Sequence, residues 1–211
     1  MIILDIETTG LDYFKNNILE VAMIHETFDR KPEELDNLTV RVKWDRVVMD
    51  CAIIEMHQTL IKQINEAAVD TKYRDSGRLY VKEEDLIPTL NKWLERRDDV
   101  FACGKNVAGF DLPWLRYVAT KWGQELFGFK HRCLDLGSVY FTPQRGIPAM
   151  SEILKEIGVQ SSGLHTAYGD ALDCVKALRH KFFGGIDGTI EETPVPCRRN
   201  KRTRRASVAN A

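Results

Sequence analysis

Asp5 and Glu7 lie two residues apart in the opening run MIILDIETTG, which reads as a buried strand entering a turn. In a strand that spacing sends both carboxylates to one face while Leu4 and Ile6 turn to the other. Two like charges on a core strand are costly unless a cation neutralises them. The chemistry open to such a pair is the binding of a hard ion, because Mg²⁺ and Mn²⁺ prefer oxygen donors. On the pair alone, a strand end whose acids face water is an equal alternative. Asp111, flanked by Asn106 and Phe110, follows a second strand and opens a helix. There the helix dipole by itself favours an acid. His165 precedes the last helix and Asp170 lies in its first turns, a spacing that brings imidazole and carboxylate to one helix end.

Three segments resemble, in order, the three motifs of a single family. They are ILDIETTGL ending at Leu11, NVAGFDLPWL from Asn106 to Leu115, and HTAYGDA from His165 to Ala171. Together they are similar to the DEDD superfamily of 3′–5′ exonucleases, histidine subtype, which includes the proofreading epsilon subunit of bacterial DNA polymerase and ribonuclease T. The resemblance spans about Met1 to Phe183, with Asp29 to Asp98 contributing only compatible lengths. It implies that Asp5, Glu7, Asp111 and Asp170 ligate two divalent ions, Mg²⁺ or Mn²⁺. It further implies that His165 is the general base for the attacking water and that Glu7 orients that water. Two ions about 4 Å apart stabilise both the attacking and the leaving oxygen of a phosphodiester displacement, and a histidine suits proton removal at neutral pH. Thr8, Thr9, Gly10 and Leu11 match the turn that contacts the terminal nucleotide, with Leu11 wedged against a base. Asn106 and Phe110 match substrate-contact positions. The implied partners are single-stranded or frayed 3′ ends of DNA or RNA, and the implied products are nucleoside 5′-monophosphates.

Around these residues the hydrophobic pattern predicts three short strands, MIILDIETTG, NNILEVAMIHETF and TVRVKWD, with connections that suggest an antiparallel meander. From Met49 to about Ala68, residues Ile53, Ile54, Met56, His57, Leu60, Ile61 and Ile64 fall at helical spacing. The polar, glycine-containing DTKYRDSGRLYVK reads as a loop, followed by a helix from about Glu83 to Arg97. DVFACGKN predicts a strand ending at Gly104, and FDLPWLRYVATKWG a helix with Pro113 in its first turn. HRCLDLGSVYF predicts another strand, and helices follow over about 147–158 and 166–183. Strands first, then alternating helix and strand, indicate a mixed α/β sheet with helices on its faces. With the resemblance, the expectation is a ribonuclease H-like mixed five-stranded sheet, an antiparallel meander followed by parallel strands, with helices on both faces. Residues 1–190 form the exonuclease domain of that reading and 191–211 a basic, disordered tail.

Composition narrows the class. At 211 residues, 44% hydrophobic and 29% charged, the chain suits one soluble domain. The N-terminal run carries acids and no basic region, unlike a signal peptide, and no stretch approaches a membrane span. Five scattered cysteines, an odd number without Cys-x-x-Cys spacing, indicate neither a disulfide framework nor a zinc cluster, so the cytoplasm is expected. The net charge of −1 is uneven. Arg198, Arg199, Lys201, Arg202, Arg204 and Arg205 crowd the end, and without these six the body sits near −7. Such a tail either binds phosphates non-specifically or solubilises the end.

Other residues carry plainer readings. Trp114, four residues from Phe110, is expected in the core. Asp173 and Asp135 are expected outside the ligand set, and His25, His57, His131 and His180 to be structural or solvent-facing. Two other functions compete. A catalytically silent nucleic-acid-binding module would keep the fold, yet every acid and the histidine is present. DIETT also superficially resembles the Asp-x-Asp-x-Thr strand of haloacid-dehalogenase phosphatases, but Glu7 stands where that family has aspartate.

Overall fold

The computed structural model describes residues 1–67, 78–97, 101–129, 131–161 and 165–186. The tail expected at 191–211 lies outside the described residues. Six strands form one sheet: β1 (Ile2–Thr8), β2 (Ile18–His25), β3 (Asn37–Lys43), β4 (Arg78–Lys82), β5 (Ala102–Gly104) and β6 (Cys133–Asp135). Their order is β4-β3-β2-β1-β5-β6. The first three make the expected antiparallel meander, whereas β4 runs parallel to β3, β5 parallel to β1, and β6 parallel to β5. The sheet therefore carries one strand more than expected. The addition is RLYVK, assigned above to a loop; Leu79 and Val81 are buried between exposed Arg78 and Lys82.

Side-chain alternation divides the molecule into two packed layers. Ile2, Leu4 and Ile6 turn to one face, where they join Leu86, Leu90 and Leu94 of helix α3 (Glu83–Leu94) and Leu112, Leu115 and Val118 of α4 (Asp111–Lys121). Ile3, Ala22 and Ile24 turn to the other and pack against Ala167, Ala171, Cys174, Val175 and Leu178 of α7 (Ala167–Phe183). The small residues at the start of that stripe let the helix axis approach the sheet closely. Each fully buried Leu, Ile or Val contributes roughly 1.5–3 kcal/mol, so both layers hold β1 from either side. α7 is also well terminated: the Thr166 side chain accepts from the Gly169 N–H at 3.2 Å, and Gly184, at φ 74°, supplies the left-handed residue that ends it.

The helix expected from Met49 to Ala68 is broken at His57 into α1 (Cys51–Met56) and α2 (Gln58–Glu66), with Leu60 and Ile64 of α2 packed on Leu19. Shorter helices α5 (Leu136–Val139) and α6 (Met150–Glu156) lie between β6 and α7. Among the described residues, no helix is long and apolar enough to cross a membrane.

Candidate active site

Three elements deliver acids to one place. The pleat of β1 puts Asp5 and Glu7 on the α7 side of the sheet, and the first turn of α7 carries Asp170 to them. One carboxylate oxygen from each of the three lies within 4.8 Å of the others. Asp111 arrives by a different route. β5 runs parallel to β1, so the chain leaves Gly104 at the same sheet end where β1 leaves Glu7. It turns through Asn106, at φ 58°, and opens α4 at Asp111. The backbone N–H of Asn106 is held by the Asp135 carboxylate, whose other oxygen caps α5 by accepting from Ser138 at 2.8 Å. Asp111 is 2% exposed, and its charge is the strongest Coulombic influence on Asp5.

The electrostatics of this group are those of like charges crowded away from water. Burial, then repulsion from Asp111, Glu7, Asp170 and Glu20, drives the Asp5 carboxyl far above the usual range. Burial, followed by Asp170 and Glu20, lifts Glu7 to about 8, and burial lifts Asp111 to about 7. Asp170 is also raised, chiefly by burial and by Asp173. The Glu7 and Asp170 carboxylates approach within 4.8 Å of one another, and each side chain acts on the other's proton affinity. Like charges crowded in a poorly hydrated pocket take up protons when nothing else neutralises them. An all-oxygen set of this kind fits a hard divalent ion.

His165 stands immediately before the Thr166 cap, exposed, with its backbone in the left-handed region at φ 39°. It is close enough to Asp170 to offset part of the upward shift there. Of the five residues expected to do chemistry, Asp5, Glu7 and Asp170 meet directly, while Asp111 and His165 lie outside that group and near enough to act on its charges. Trp114 is buried, as expected, and Asp173 is engaged by Lys176 at 3.0 Å and Ser161 at 2.9 Å.

Of the two readings given for His57, structural or solvent-facing, the structure has the first: it is 3% exposed, and its Nε2 lies 3.2 Å from a Glu7 carboxylate oxygen, a partner the spacing did not reveal. Burial, together with the nearby His165, lowers its proton affinity. A neutral imidazole with Nε2 protonated would donate to Glu7 and fix that carboxylate's orientation. The sequence contained half of this signal, since His57, Leu60 and Ile64 share one helical stripe and all are buried. Contact with Glu7, fifty residues earlier, has no local signature. Glu20 was likewise unmarked: it sits on β2 directly across from Glu7.

The turn after β1 is tightly pinned. The Thr8 hydroxyl donates to the Gly10 carbonyl at 2.6 Å, and the Thr9 hydroxyl donates to the Val48 carbonyl at 2.5 Å while accepting from the Asn17 N–H at 2.8 Å. Thr9 is fully buried, which commits its side chain to the turn, whereas Leu11 projects at 80% exposed. Asn106 is exposed beside the acids, and the half-buried Phe110 ring lies 5.9 Å from Trp114.

A mixed sheet of this order, with helices on both faces and carboxylates gathered at the end of its central strand, places the chain in the ribonuclease H-like class. Residues 2–178 match the RNase_T family model, described as exonuclease, and the chain belongs to that family, within the DEDD 3′–5′ exonucleases. Two curated relatives are similar at low identity. One, named "Probable oligoribonuclease", is from Schizosaccharomyces pombe and is 23% identical over 181 residues, covering 84% of this chain and 65% of that protein. The other, "Oligoribonuclease" from Halorhodospira halophila, is 25% identical over 183 residues, covering 85% of this chain and 91% of its own length. The chain thus spans slightly less than two thirds of the yeast relative.

Proposed function

We propose that this protein is a divalent-metal-dependent, histidine-subtype exonuclease that removes nucleotides one at a time from the 3′ ends of short RNA, releasing nucleoside 5′-monophosphates. The observation that carries the reading is the convergence of Asp5, Glu7 and Asp170 within 4.8 Å, with Asp111 and His165 beside them. The choice of RNA over DNA is supported by the names of the two relatives. Asp5, Glu7, Asp111 and Asp170 would hold two Mg²⁺ or Mn²⁺ ions, which supply charge stabilisation at the attacking and leaving oxygens. His165 takes the proton of the attacking water as its oxygen bonds to phosphorus and the bond to the upstream 3′-oxygen breaks. Glu7, held by His57, orients that water. Leu11 projects where a terminal base can rest against it, with Thr8, Thr9 and Gly10 shaping the turn beneath. Asn106 and Phe110 line the far side.

Residues 1–190 are the catalytic domain of this proposal, and 191–211 a basic tail that adds salt-dependent affinity. The unpaired thiols of Cys51, Cys103, Cys133 and Cys174 suit a reducing cytoplasm.

The test is a 5′-labelled RNA and DNA oligonucleotide assay with Mg²⁺, Mn²⁺ or chelator. We expect a one-nucleotide ladder from the 3′ end of RNA, lost with chelator and in Asp5→Asn. His165→Ala should slow cleavage by 10²–10⁴-fold, the range typical of proton-transfer catalysis. A ladder on DNA alone would overturn the substrate assignment. RNA binding without cleavage would identify a silent module.

A further inference from the structure

One rung of polar side chains crosses four strands on the face that carries the acids. In register, Glu7 on β1 lies opposite Glu20 on β2, Glu20 opposite Arg41 on β3, and Arg41 beside Tyr80 on β4. Such positions normally hold apolar side chains where helices cover the sheet. Glu20 and Arg41 are each only 1% exposed. The Arg41 Nε donates to Glu20 Oε2 at 2.6 Å, and Nη1 donates to the Tyr80 hydroxyl at 3.0 Å. The guanidinium also lies 5.7 Å from the Tyr80 ring centre. The other Glu20 oxygen, Oε1, is buried with no hydrogen-bond partner among the described residues.

A buried ion pair is weak evidence for stability, because desolvation offsets most of its attraction. Its placement here does something else. Adjacent strands are about 4.8 Å apart, so the anion sits one strand from Glu7 and its cation two strands away. Glu20 stands directly across from Glu7 on the adjacent strand and is shielded from water, so its negative charge acts on the acids at short range and through little solvent, even with Arg41 attached.

We propose that Glu20 and Arg41 are positioning residues that set the charge behind the acidic cluster, and with it the cluster's affinity for a divalent cation. Glu20 strengthens cation binding, Arg41 opposes it from farther away, and the intact pair leaves a modest net attraction. Removing Glu20 alone leaves a buried positive charge without its anion, two strand spacings or about 10 Å from Glu7. Removing both charges restores neutrality. The inference rests on the cation-binding reading given above.

The experiment measures Mn²⁺ affinity, without substrate and at fixed neutral pH, by electron paramagnetic resonance of the free ion. It uses wild type, Glu20→Gln, Arg41→Met and the double variant. Glu20→Gln should bind Mn²⁺ about tenfold more weakly, since a charge at that distance acts on a divalent ion through an intermediate dielectric. The double variant should recover to within about threefold of wild type, and Arg41→Met should bind at least as tightly as wild type. A pair that only holds the sheet together would weaken all three, the double variant most. That outcome, or four equal affinities, overturns the proposal. If Arg41→Met fails to fold, the comparison of Glu20→Gln with the double variant still decides the matter. Folded wild type that takes up no Mn²⁺ would instead overturn the cation site itself.

Discussion

Carboxyl groups drawn from water into one pocket can neutralise their charge with protons or with cations, and these two compete. Glu7, lifted to about 8, and Asp111, at about 7, hold protons near neutrality in the absence of metal. Cation binding at pH 7 should therefore release at least one proton per molecule. Calorimetric titration with Mn²⁺ in two buffers of different ionisation enthalpy measures it directly; equal heats in both would refute it. The same shift acts on stability. Below about pH 4.5 a glutamate is protonated in folded and unfolded chains alike, so Glu7 carries no penalty there. As pH rises toward 8 the folded state must give up a proton it binds more tightly than the unfolded chain does, and this contribution is lost. In chelator, wild type should lose more melting temperature from pH 5 to 8 than Glu7→Gln. At this scale the sequence was legible where spacing carries meaning: Asp5 with Glu7 in a strand, and His165 with Asp170 at a helix end. It was mute for the placement of Glu20 across from Glu7, which sheet registration sets, and for the contact of His57 with Glu7, which comes from distant chain.

Elements determine how firmly those residues are held. α7 presents Asp170 from its first turn, and about two and a half turns farther on Arg179 makes a bidentate pair with Glu26, both bonds 2.8 Å and both side chains fully buried. Arg179→Met leaves the buried Glu26 charge without its cation, with the Phe28 N–H still donating to Oε1 at 2.6 Å, and roughly 3–5 kcal/mol of unfolding free energy should be lost. Urea denaturation of the metal-free protein checks this; a loss below about 1 kcal/mol would mean the site relaxes to admit water. Most elements could be read from periodicity, because their apolar positions repeat often enough to show a period. β4 escaped because RLYVK offers only Leu79 and Val81 as buried positions, and a parallel pairing with β3 leaves no tight turn to mark it. The break at His57 escaped for a related reason, since apolar spacing continues through it.

In the molecule as a whole, β1, like β3, is a strand where pairing changes character, antiparallel toward β2 and parallel toward β5. The parallel side brings the Asp111 loop to the end of β1, and the antiparallel side supplies the turn that carries Leu11. Alternating strands and helices made this architecture readable from sequence, while the order that sets β4 at one edge had no local expression. The helix that closes the acidic face is fastened unevenly. Its second half is bolted through Arg179 to Glu26, the residue just past β2, whereas its first turn rests among mutually repelling carboxyls. Backbone amides along α7 should therefore exchange with deuterium on two clocks. In chelator, residues 167–171 should exchange at least about tenfold faster than residues 174–180, and Mg²⁺ should slow only the first group. Uniform protection along the helix would show that the acidic end needs no ion to keep it closed.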